Sequence, residues 1–184
     1  MHLSSSCEGR KRSHCFSRFF FDKFSDGHTD MRRWAKKVPG RDIFKLDKLF
    51  LICNVDRCHW TCAVAKMQDR RIEYYDSLSG DGFCFTSVIR KYIHDEWTYN
   101  NKGGGQQLPQ SGADSWQIEN MSDGVPQQLN GYDCGVFTIM FANYISINKK
   151  MEFKQSDIDT LRPILALAIK EKWRINNEGE FERT

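Results

Sequence analysis

The segment Gln127-Gln128-Leu129-Asn130-Gly131-Tyr132-Asp133-Cys134-Gly135 places a thiol where a thiol can react. Asn130-Gly131 is a turn dipeptide, and residues 133–147 read as a helix whose apolar positions cover most of its circumference. Cys134 therefore falls at or near a helix N-terminus. Unpaired backbone N–H groups and the positive end of the helix dipole favour an anion there, and the thiolate is the form of cysteine that attacks. The same N–H groups can stabilise an oxyanion, and a side-chain amide such as Gln128 can add a donor. Gly135 leaves room for a substrate backbone close to the sulfur. An isolated cysteine before an apolar helix is more often a small buried residue; the amide- and turn-rich context argues for chemistry.

A nucleophilic thiol needs a base and the base needs an orienting group. Cys58-His59-Trp60 opens a strand-like stretch, 59–67, and Tyr75-Asp76-Ser77 closes another, 71–77. The short link Gln68-Asp69-Arg70 between them reads as a hairpin turn. An antiparallel hairpin brings the start of one strand to the end of the next, so His59 and Asp76 belong at one sheet edge. His59 is the candidate base, Asp76 its orienting carboxylate, and Trp60 an apolar wall. Taken singly, His59 reads as a surface histidine and Asp76 as a turn residue. A metal reading would use Cys53, Cys58, His59 and Cys62, but their spacing lacks the paired ligands of known zinc sites. Those four residues are therefore not expected to hold a metal.

The elements that would position these groups can be read in outline. Residues 15–24 are aromatic-rich, with Phe16, Phe19, Phe20, Phe21 and Phe24 spaced to line one helical face. Residues 30–37 form a short helix, 48–55 a continuous apolar strand, 83–97 a helix and 115–121 a further strand. Residues 100–115, with three consecutive glycines, read as a long loop. A last helix spans 157–173, with Ser156 and Asp159 as a capping box and Pro163 bending its first turns. Residues 1–14 read as a polar, basic tail and 15–184 as one α+β domain.

Composition narrows the classes. The 184 residues suit one domain with a sizeable core. With 27 basic against 24 acidic residues, the net charge of +3 argues against a dedicated nucleic-acid binder. No apolar run is long enough to span a membrane. Seven cysteines, an odd number with no Cys-x-x-Cys, fit reduced thiols in the nucleus or cytoplasm.

The strings Val55-Asp56-Arg57-Cys58-His59-Trp60, Tyr74-Tyr75-Asp76-Ser77 and Gln127 to Gly135 closely resemble the SUMO/sentrin-specific protease family (Ulp1-like cysteine peptidases). Phe19-Phe20-Phe21, Arg32-Arg33-Trp34-Ala35-Lys36-Lys37 and the segment from Phe153-Lys154-Gln155 extend the likeness over most of residues 14–173. The resemblance implies a papain-like cysteine protease fold, a central mixed sheet with a buried helix carrying the nucleophile. It implies His59, Asp76 and Cys134 as a triad, Gln128 in the oxyanion hole, and Trp60 over the C-terminal Gly-Gly of SUMO. The implied reactions are SUMO precursor maturation and isopeptide deconjugation, with no cofactor. Alternatives are a protease for NEDD8 or ubiquitin, or a catalytically weak module that binds a ubiquitin-like protein. The family's upstream Trp-Leu-Asn-Asp motif has no counterpart here, so the resemblance implies a domain lacking its N-terminal part.

Overall fold

Buried side chains that alternate along a strand require a core on each face of the sheet. The computed structural model describes residues 12–24, 28–101, 116–171, 174–175 and 181–182. Five strands lie in the order β1-β2-β3-β4-β5: Ser13–Phe16 (β1), Lys48–Val55 (β2), His59–Lys66 (β3), Arg71–Tyr75 (β4) and Gln117–Asn120 (β5). β2, β3 and β4 form an antiparallel meander, and β1 and β5 add in parallel at its two edges. The sheet is thus mixed. Helices Phe19–Phe24 (α1), His28–Ala35 (α2) and Phe83–Asn100 (α3) contribute to the core on one face, and Cys134–Ser146 (α4) and Ile158–Lys170 (α5) to the core on the other. A separate ribbon pairs Arg174–Ile175 (β6) with Phe181–Glu182 (β7).

The apolar run in β2 serves both cores. Leu49, Leu51 and Cys53 join the core of α1 to α3, whereas Phe50 joins that of α4 and α5. β3 alternates likewise, with Ala63 and Ala65 against Cys62 and Val64. Val136, Phe137, Met140, Phe141 and Ile145 of α4 are buried, and only Ile139 among its large apolar residues is exposed. Buried Lys48 donates to the Ile145 carbonyl and the Asn148 side chain, setting a positive charge at the C-terminal end of α4.

Three local expectations are corrected. Cys15 and Phe16 do not extend an aromatic helix: they lie in β1, a strand that also takes in Ser13 and His14, read above as tail. Phe16 still meets the helical aromatics, stacking on Phe20 at 5.2 Å. A four-residue edge strand pairing with residues 35 positions away leaves no local periodicity to read. Ser156 and Asp159 make no capping box. Residues Gln155–Asp157 form a 3-10 turn instead, in which the Asp157 carboxylate accepts the Lys154 N–H at 2.9 Å. Pro163 lies within α5. The remaining helix bounds differ by a few residues, and the tail before residue 12 and the loop 102–115 lie outside the described residues.

Candidate active site

The β3–β4 hairpin sets His59 and Asp76 at one edge, with Cys62 opposite Tyr75 fixing the register. His59 Nε2 lies 2.6 Å from Asp76 Oδ1, with 15% of the His59 side chain and 4% of the Asp76 side chain exposed. An ionised carboxylate only accepts hydrogen bonds, so Nε2 carries the proton and the lone pair of a neutral imidazole sits on Nδ1. Asp76 is itself fixed from several directions. Leu78 N–H donates to Oδ1 at 2.7 Å and Gly80 N–H to Oδ2 at 3.2 Å. Its own N–H donates to Ser122 Oγ at 3.1 Å, and its carbonyl accepts from Gln127 Nε2 at 3.3 Å. A Cβ on Gly80 would stand 2.4 Å from Asp76 Oδ2, so the close approach requires glycine.

Cys134 is the first residue of α4 and is buried. Asp133 precedes it as N-cap, but no side chain caps the helix. The carbonyl of Asp133 takes the N–H groups of Val136 and Phe137 at 2.9 and 3.1 Å. The helix start lies beside the start of β3: a Cβ on Gly135 would come 3.8 Å from Trp60 Cδ1.

The Asp133 carboxylate is taken up by partners outside the helix. It accepts from Asn130 Nδ2 at 2.6 Å, from Gln155 Nε2 at 2.7 Å, and from the Arg162 guanidinium. Burial works against its ionisation, but these hydrogen bonds and the Arg162 charge together hold the carboxyl below the usual carboxylate range. Gln155 also accepts the Leu129 N–H at 2.8 Å, so one amide from the turn before α5 grips both ends of the segment leading to Cys134.

Gln128 is buried and strapped to the end of β4. Its N–H donates to the Ser77 carbonyl at 3.0 Å, its Oε1 accepts from Ser77 Oγ at 2.6 Å, and its Nε2 donates to the Asn130 carbonyl. The segment before Cys134 is thus tied to the residues around Asp76. Ser77, Ser122, Gln127, Gln155 and Arg162 were not singled out from sequence. Asp-Ser-Leu-Ser-Gly after β4 carries the side-chain turn signal that marks the first of these. Gln155 and Arg162 act across tertiary contacts that spacing does not reveal.

Two of the other thiols, Cys53 and Cys62, are buried in the cores. Burial pushes the Cys53 and Cys62 thiols up, and the two lie in opposite cores, which separates two of the four residues a metal reading needs. Among the described residues no group of three or more His, Cys, Asp or Glu side chains could hold a metal ion, and no helix is long and apolar enough to cross a membrane.

The chain is similar to known proteins in sequence and in structure. The chain matches the model of the Ulp1 protease family, C-terminal catalytic domain, over residues 1–174. Human sentrin-specific protease 2 is 30% identical over 157 residues, which is 84% of this chain and 25% of that protein. Ubiquitin-like-specific protease 1 of Saccharomyces cerevisiae is 30% identical over 156 residues, 82% of this chain and 23% of that protein. The chain spans about a quarter of the length of these relatives. In structure it is similar to the yeast C-terminal Ulp1 protease domain, solved in complex with Smt3, the yeast ortholog of SUMO. The TM-score is 0.71 at 27% identity, covering 86% of this chain and 67% of that one. The Ulp1-like SUMO protease catalytic domain of Chaetomium thermophilum shares the fold, with a TM-score of 0.64. With the family's α+β, papain-like fold and its sequence pattern both running through most of the chain, this protein belongs to the Ulp1 protease family.

Proposed function

We propose that the protein is a cysteine-type peptidase of the nucleus or cytoplasm that cleaves after the C-terminal Gly-Gly of SUMO. The observation that carries this reading is the 2.6 Å contact of His59 with Asp76 at the strand edge against which the Cys134 helix begins. The names of the relatives, as sentrin-specific proteases, and the Smt3 complex of a structural neighbour support the choice of modifier.

In this reading His59 Nδ1 takes the proton of the Cys134 thiol, and Asp76 stabilises the imidazolium that results. The thiolate attacks the carbonyl carbon of the last glycine, giving a tetrahedral oxyanion. Uncapped N–H groups at the start of α4 and the second Nε2 hydrogen of Gln128 are the donors for that oxyanion. Imidazolium gives its proton to the departing lysine amine as the C–N bond breaks, leaving a thioester. Water, deprotonated by His59, attacks the thioester; the thiolate leaves and regains the proton. Trp60 walls a passage that only side-chain-free residues fit, which selects glycine by shape.

The test is cleavage of lysine isopeptide conjugates of SUMO, NEDD8 and ubiquitin, followed by gel and mass spectrometry. Release of SUMO with an intact Gly-Gly terminus, at a rate well above the other two, is expected. Preferential cleavage of NEDD8 or ubiquitin would overturn the choice of modifier, and no cleavage of any conjugate would overturn the activity.

A further inference from the structure

The turn that delivers His59 is built from residues its backbone does not favour. Cys58 N–H donates to the Val55 carbonyl at 3.0 Å, closing a four-residue turn between β2 and β3. Its central residues, Asp56 and Arg57, have φ of 49° and 60°. Two successive left-handed residues define a type I′ turn, for which Asn-Gly and Asp-Gly are the preferred pairs. Aspartate tolerates that region; at Arg57 the Cβ crowds the following carbonyl. Such strain gathers at ligand sites, where a side chain must be held in one place.

Arg57 lines a 450 Å³ cavity with Arg18, Asp22, Asn54 and Trp60. Arg18 is already engaged, 3.5 Å from Asp22 and 4.3 Å above the Phe19 ring. Arg57 has no carboxylate partner among the described residues. The cavity therefore holds one guanidinium beyond its internal ion pair, beside an indole. Trp60 is shared: Gly135, next to Cys134, approaches its Cδ1, and the cavity uses the same side chain as a wall. A peptide whose glycine pair passes Trp60 reaches the cavity within a few residues, at about 3.3–3.6 Å of extended chain per residue.

Resting on the protease reading above, we propose that this cavity is a subsite for an acidic side chain among the three residues before the glycine pair, with Arg57 as the partner of its carboxylate. A guanidinium presents a planar fork that matches a carboxylate, so the pairing discriminates glutamate from glutamine by charge and by geometry.

The test uses the full chain and fluorescent peptides ending in Gly-Gly amide, with Glu or Gln placed in turn at each of the three preceding positions. Polarisation should show one position at which the Glu peptide binds about fivefold or more tighter than its Gln twin. Arg57→Gln, which keeps the turn's side-chain bulk and removes the charge, should abolish that preference. Arg57→Gly should abolish it too and raise the melting temperature, because Asp-Gly relaxes the turn. Glu and Gln peptides that bind alike or not at all, or a preference that survives in Arg57→Gln, overturn the subsite. Reactivity of Cys134 toward a SUMO probe, measured in parallel, separates the two ideas. Labelling without a Glu preference sinks the subsite alone; a Glu preference without labelling sinks the protease reading and leaves the subsite standing.

Discussion

Asp76 shares one carboxylate among three donors: His59 through Oδ1, the Leu78 N–H through the same oxygen, and the Gly80 N–H through Oδ2. Each bond narrows the positions the carboxylate can take, and through it the orientation of the imidazole. Gly80 is the tightest point, since its missing side chain would overlap Oδ2. Gly80→Ala should displace Asp76 and lower the turnover of a SUMO conjugate by roughly one to two orders of magnitude, the scale set by misplacing a catalytic group. Circular dichroism should still show a folded chain, since Gly80 lies in the loop between β4 and α3 and outside both cores. Turnover within twofold of the parent would mean that the orientation of Asp76 does not matter. His59 and Asp76 were legible as a pair because a hairpin fixes which strand ends meet. The Gly80 contact was not, because it depends on how the loop folds back on the carboxylate.

α4 is held at both ends by charged groups from other elements. Lys48 of β2 meets the Ile145 carbonyl near its C-terminus, and Asp133, gripped by Arg162 and Gln155, precedes its first turn. The carboxyl of Asp133 ionises below its unfolded value of about 3.9. Its stabilising contribution is therefore complete above that value and is lost as pH falls through the folded value. Thermal melts should show the midpoint falling as pH drops below about 4, and Asp133→Asn should flatten that part of the curve. Arg162→Met should cost about 1–2 kcal/mol at neutral pH, discounted because half of the Arg162 side chain is solvated. Acid dependence that is identical in Asp133→Asn would remove the clamp from the account. The sequence revealed α4 through its apolar run and the Asn130-Gly131 turn. Gln155 and Arg162 stayed hidden, because their role is set by where α5 docks, and no local periodicity encodes that.

For the whole molecule, the three long strands and the helices α3 and α4 were readable because their apolar patterns are long and regular. The edge strands split: β5 falls inside the stretch 115–121 read as a strand, but β1 was missed. β1 is four residues long with a single buried side chain, Phe16, and its parallel partner is remote in the chain. Tertiary pairing therefore overrode the helical spacing of the aromatics that follow it. The same limit applied to the site: His59 and Asp76 were visible as a pair and Cys134 at its helix start, whereas docking of the Cys134 helix on β3 came only from the packing of the core between α4 and the sheet. The most direct measurement is reaction of the chain with SUMO bearing a C-terminal vinyl sulfone, read by mass spectrometry of the adduct. One adduct at Cys134 is predicted, absent in Cys134→Ser and slowed about 100-fold or more in His59→Ala. An adduct on exposed Cys58, next to His59, or a Cys134 rate indifferent to His59→Ala, would contradict the account.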